Sequence, residues 1–219
     1  VHVDVTGLSP DAWYHYRFRV GAWTSPVGRT RTAPVPDATP ASLVLAACSC
    51  QHWEFGTYAA HRHLAAEGVD VVLWLGDFIY EAGAGAGSVR THPPTEATDL
   101  DGYRQRYALY RSDADLQSSS AAAPWIVTWD DHEVQNNYAG ASAVDGSDPV
   151  SFDARRAAAY QAWWEHQPVR LPAPGGSDYR IYRDLAWGRL ARFVMLDGRS
   201  ARSPQVCGGG AGDACDELA

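Results

Sequence analysis

The 219-residue sequence contains no lysine, so its 18 basic residues are all arginine, set against 19 Asp and 7 Glu for a net charge of −8. That balance excludes a surface built for nucleic acid, which needs a local excess of cations to neutralise phosphates. Long apolar runs are missing too. The longest, at 42–50 and 69–75, fall well short of the roughly 18 residues of a spanning helix, and no basic-then-apolar leader opens the chain. A soluble, mature or trimmed chain is expected. Cysteine is sparse and paired: Cys48 and Cys50 end an apolar run, while Cys207 and Cys215 flank a Gly-rich polar loop. The second pair predicts a disulfide closing that loop, and with it an oxidising compartment. What is abundant is bulk: 46% apolar residues with 9 Trp, 11 Tyr and 5 Phe exclude disorder, and 20 scattered Gly exclude a collagen-like repeat.

The length allows one large domain or two smaller ones. Residues 1–34 alternate like strands, with Val1, Val3 and Val5 on one face, a second strand over 13–20 and a third over 27–32. Three strands are too few for an independent sandwich, so this segment reads as the end of a β domain. Pro36 and Pro40 stiffen a linker at 35–40. From residue 41 the rhythm becomes strand, helix, strand: strands at 43–47, 69–75 and 125–129, helices at 58–67, 100–111 and 152–166, and a hairpin over 179–196. Continuous apolar strands separated by helices predict an α/β sheet covered on both faces. Asp99 and Ser151 are the expected caps of the last two helices.

Polar clusters follow three of the strands: Cys48-Ser49-Cys50-Gln51, Gly76-Asp77-Phe78-Ile79-Tyr80-Glu81 and Asp130-Asp131-His132-Glu133. Carboxyl ends of strands in an open α/β sheet line one crevice, so residues distant in sequence can converge there. Cys50, Asp77, Tyr80 and Asp131 make a candidate ligand set. Holding a thiol and a phenol as anions near neutral pH calls for a strong Lewis acid, and Fe3+ fits that donor pair better than Mg2+ or Ca2+. Asp131 with Asn136 or Asn137 offers the oxygen ligands that Ca2+ prefers. His132 would face the reaction zone as an acid or charge stabiliser. Arg199 and Arg202 either bind phosphate or pair with a carboxylate such as Asp197. Cys48 reads as a core residue, His61 and His63 as surface histidines, and His166 as a packing or surface residue. The contrasting reading is a non-catalytic binding module whose polar strand ends are only caps.

The ordered set Ser49-Cys50-Gln51, Gly76-Asp77 with Tyr80-Glu81, Trp129-Asp130-Asp131-His132-Glu133-Val134 with Asn136-Asn137-Tyr138, and Leu196-Asp197-Gly198-Arg199 resembles the PhoD-like alkaline phosphatase and phosphodiesterase family. The resemblance implies an α/β fold of calcineurin-like type, a layered α/β/β/α metallophosphoesterase sandwich. Residues 41–219 would be its front part, and 1–34 the last strands of an immunoglobulin or fibronectin-like domain. It further implies Cys50, Asp77 and Tyr80 as iron ligands, with Asp77 bridging to a second metal, Asp131 on that second metal, and His132 against the transferring phosphoryl group. Asn136 and Asn137 are assigned to substrate or Ca2+, and Arg199 to substrate. The implied activity is a secreted phosphoesterase cleaving phosphomonoesters or phosphodiesters with a metal-activated hydroxide. Phospholipase D-type action on phospholipids, with transient membrane-surface contact, is the alternative. Members of the family complete the centre with Asp- and His-bearing motifs beyond 196–199, whereas after His132 this chain contains only His166. A second polypeptide or C-terminal fragment is therefore expected to supply the rest.

Overall fold

The computed structural model describes residues 2–205, and the Cys207–Cys215 pair lies outside them. In the N-terminal segment β1 (Trp13–Tyr16) pairs antiparallel with β4 (Gly28–Arg31), and β2 (Arg19–Val20) with β3 (Trp23–Thr24). The strand expected at the start is not formed, and Val3 and Val5 are exposed in irregular chain. The run 13–20 breaks at Arg17 and Phe18 into two short pieces. Alternation alone does not make a strand where no neighbouring strand offers a ladder. Arg31 ties β4 to the rest of the chain by pairing with Asp70, whose other oxygen accepts the Val44 N–H at 2.9 Å.

The remaining elements are β5 (Leu45–Cys48), a 3-10 turn (Trp53–Phe55), α1 (Ala59–Ala66), β6 (Val71–Trp74), α2 (Leu100–Arg111), α3 (Ala114–Ala122), β7 (Trp125–Val127), α4 (Pro149–His166), and the hairpin β8 (Arg183–Trp187) and β9 (Ala191–Met195). Strands β5, β6 and β7 form a parallel sheet in that order, with Cys48 opposite Trp74 and Trp74 opposite Val127. Alternate side chains of one face, including Val72, Trp74 and Val127, are buried against the helices. Tyr103, Tyr107 and Tyr110, spaced four and three along α2, are fully buried in the same core as Tyr160 and Trp163 of α4.

The Asp surplus is explained in part by capping. Asp99 accepts the Gly102 N–H at 2.8 Å, and Asp113 and Asp148 cap α3 and α4 in the same way. The cap of α4 is thus Asp148, with Pro149 in the first turn, and not Ser151, because Asp148 takes the Val150 and Ser151 N–H groups itself. Helix α3 has no apolar stripe to announce it, its buried positions being only Leu116 and Ser119. His61 is buried and not on the surface: α1 packs on α3, and its ring bonds Ser119 Oγ at 2.8 Å and Gln51 Oε1 at 2.9 Å. His63 is exposed, while half-buried Cys48 packs against the core and His166 stacks on Tyr107 at 4.9 Å.

Candidate metal centre at the strand ends

Parallel pairing in register brings the ends of β5, β6 and β7 to one edge of the sheet, and hydrogen bonds continue across their turns. Leu75 donates to Cys48 O at 2.9 Å, Cys50 to Gly76 O at 3.2 Å and Gln51 to Asp77 O at 3.3 Å. Cys50 and Asp77 both sit in the left-handed region, at φ +58° and +54°, as does Asn137 at +59°. Such backbone costs non-glycine residues about 1–3 kcal/mol each and concentrates at functional sites. Between the turns lies Gly76, at φ +115°, where a Cβ would stand 2.5 Å from Asp130 Cβ and 2.6 Å from its N. Gly76→Ala is therefore expected to destabilise the protein by about 2 kcal/mol, measured by denaturant unfolding, and to lower metal content as the 130–132 turn is pushed away. Glu133 fastens the same two turns from below, accepting Phe78 N–H at 2.6 Å and Asp130 N–H at 2.9 Å. Burial lifts its pKa to about 8, with Asp77 adding to the rise.

Asp77 is the hub. Its Oδ2 lies 3.5 Å from Cys50 Sγ and 3.1 Å from the Tyr80 hydroxyl, and its Oδ1 accepts the His132 N–H at 3.3 Å. Ligand atoms of Asp77, Asp131 and His132 all lie within 4.8 Å of one another. Burial pushes the pKa values of Asp77, Cys50 and Tyr80 up; the Asp77 charge adds to the rise at Cys50 and Tyr80, and Asp131 and Asp130 add to it at Asp77. Three acidic donors crowded round one point, each costly to ionise unaided, are a donor set that a cation relieves. Thiol, phenol and carboxylates together make a set of anionic donors suited to metal ions.

His132 Nδ1 is 2.8 Å from Glu81 Oε2, and its ring lies 4.1 Å from that of Tyr80. Burial by itself would lower the His132 pKa. The hydrogen bond and charge of Glu81, with Asp131 and Asp77, outweigh burial and leave it raised, which favours the imidazolium form. Glu81 also accepts the Asn136 N–H at 2.6 Å, and Asp131 accepts the Asn137 N–H at 2.6 Å. Both asparagines thus hold site carboxylates through their backbone, with the Asn136 side chain exposed and that of Asn137 half-buried. Arg199 points inward: its Nε donates to Asp130 Oδ1 at 2.5 Å and its Nη2 to Asp131 Oδ1 at 3.0 Å. It orients Asp131, the carboxylate-pairing role, although its partners are Asp130 and Asp131. Asp197 instead accepts Trp129 Nε1–H and the Arg199 and Ser200 N–H groups. Glu81 and Glu133 fall within the sequence motifs, but the sequence alone assigns them no role. Their placement beside Tyr80 and His132 is the available signal.

The fold and site define an α/β protein whose candidate metal ligands sit at the carboxyl ends of parallel strands. The chain belongs to the PhoD-like phosphatase family: the family's profile matches residues 45–218, and that of its N-terminal domain matches residues 1–34. It is 48% identical over 212 residues to alkaline phosphatase D of Bacillus subtilis (strain 168), covering 94% of this chain and 36% of that protein. A solved structure of PhoD superimposes with a TM-score of 0.92 at 47% identity, over 96% of this chain and 41% of that one. The chain thus spans well under half the length of these relatives.

Proposed function

We propose that the chain carries the front part of the active centre of a secreted, metal-dependent phosphoesterase hydrolysing phosphomonoesters or phosphodiesters. The observation that carries this reading is the convergence of Cys50 and Tyr80 on one carboxylate oxygen of Asp77, with Asp131 and His132 beside it. Cys50, Asp77 and Tyr80 would hold Fe3+. Asp131, with Asp77 as bridge and Asn136 or Asn137 as a further oxygen donor, would hold Ca2+. Ions held there supply a water of lowered pKa as nucleophile and positive charge for the phosphate oxygens. The chain's own groups do the rest. Glu81 fixes the His132 ring through Nδ1, leaving Nε2 to donate toward the phosphoryl or leaving-group oxygen. Arg199 and the Asn137 N–H set the two oxygens of Asp131.

The layered α/β/β/α sandwich belongs to the same reading, as do residues 1–34 as closing strands of a preceding β domain. One sheet face meets the helices. On the other, Leu45 and Leu75 are exposed, as are Val194 and Leu196 at the hairpin. A second sheet from a further stretch of polypeptide would cover them and bring the missing ligands. Secretion rests on the Cys207 and Cys215 pair in the sequence. The test is hydrolysis of a phosphomonoester, a soluble diester and a choline phospholipid by the native protein, with calcium present or chelated. Turnover of at least one ester, falling on the order of 10³-fold on chelation and returning with calcium, is expected. Equal inactivity on all three in metal-replete protein removes the phosphoesterase reading.

A further inference from the structure

We propose that His52, Glu54 and His92 form a second, separate site for a zinc-type divalent cation, which clips the 82–97 loop to the turn that follows Cys50. Nitrogen and carboxylate atoms of these three residues lie within 4.8 Å of one another, apart from the Asp77, Asp131 and His132 group. The pointed observation is His92. Its side chain is fully buried, and its Nδ1 has no hydrogen-bond partner. That nitrogen faces Glu54 Oε2 across 3.8 Å, too far for a hydrogen bond. A spacing of this size suits two donors on one ion, each reaching about 2.0–2.2 Å to it. The other ring nitrogen, Nε2, lies 2.9 Å from the Tyr110 hydroxyl, the outer-shell partner that orients a ligating imidazole. Burial, and after it the Arg106 charge, lowers the His92 pKa to about 4, so the ring is neutral and free to ligate.

Glu54 is also buried. Its oxygens accept N–H groups from Gly85 at 3.1 Å and His92 at 3.2 Å, and a carboxylate has lone pairs beyond these. His52 is the third donor. Its Nδ1 accepts the Glu54 N–H in a long 3.2 Å bond that an ion would replace. Two imidazoles and one carboxylate, leaving a fourth position for water, suit zinc and its neighbours better than calcium or magnesium. The site would also stiffen the first centre, because the His52 ring rests 4.3 Å from that of Tyr80.

The experiment counts zinc in the full chain by elemental analysis after equilibration with zinc and gel filtration. Asp77→Asn, which damages the strand-end centre, should retain one equivalent. Asp77→Asn combined with His92→Ala, or with His52→Ala, should lose it. His92→Ala alone should keep the strand-end metals, which shows that it folds. Zinc absent from Asp77→Asn protein, or retained in both double variants, overturns the proposal. The strand-end reading fails separately, if Asp77→Asn leaves the remaining metal content unchanged.

Discussion

Asp77→Asn is expected to cut phosphate-ester turnover on the order of 10³-fold or more and to release the strand-end metals, with little change in fold. The substitution is nearly isosteric. The introduced amide could still accept the His132 N–H through its side-chain oxygen, as Asp77 Oδ1 does at 3.3 Å. What it loses is the charge at the one atom that both Cys50 Sγ and the Tyr80 hydroxyl approach. On the proposed function Asp77 would bridge two cations, which a neutral amide does poorly, so metal affinity and rate are expected to fall together. Elemental analysis beside a kinetic assay checks this. Full metal content with full activity in Asp77→Asn would place the centre elsewhere.

His132→Ala should act differently, lowering kcat by about 10²–10⁴-fold while the iron content stays unchanged. The imidazole stands beside the acidic hub without being needed to hold Cys50, Asp77 and Tyr80 together, so its loss removes proton donation and charge stabilisation alone. Glu81→Gln should give a smaller defect of the same kind, about 10–100-fold, since the ring stays but loses the carboxylate that orients it at 2.8 Å. Measuring kcat and KM with metal analysis separates the two residues from the ligands. Loss of iron in His132→Ala would mean that His132 belongs to the ligand set.

Much of this is readable from the sequence because the parallel sheet simplifies it. The apolar runs mark β5, β6 and β7, although only β6 is largely buried and β5 keeps Leu45 exposed, so the sheet is not covered on both faces among the described residues; parallel strands end at one edge, and the residues after each end are the polar clusters. Helix α2 is legible to the residue at both ends, with Asp99 as its cap. Other features depend on partners that a local pattern does not contain. His61 is buried because α3 lies across α1, and α3 has no stripe of its own. Val3 and Val5 look like part of a strand, but among the described residues no strand lies beside them to pair with. Arg199 could have faced either phosphate or carboxylate, and only the fold brings Asp130 and Asp131 within 2.5 and 3.0 Å of it. Glu81 and Glu133 stand in the motifs, but their role as staples is not legible there because it depends on N–H groups of turns 55 residues away.

The most direct test of the strand-end centre is the visible spectrum and iron content of the native protein beside those of Tyr80→Phe and Cys50→Ala. Bound iron with a charge-transfer band from phenolate or thiolate, weakened or shifted when either donor is removed, is the expected result. Iron-free, colourless protein, or a band that neither substitution changes, would contradict it.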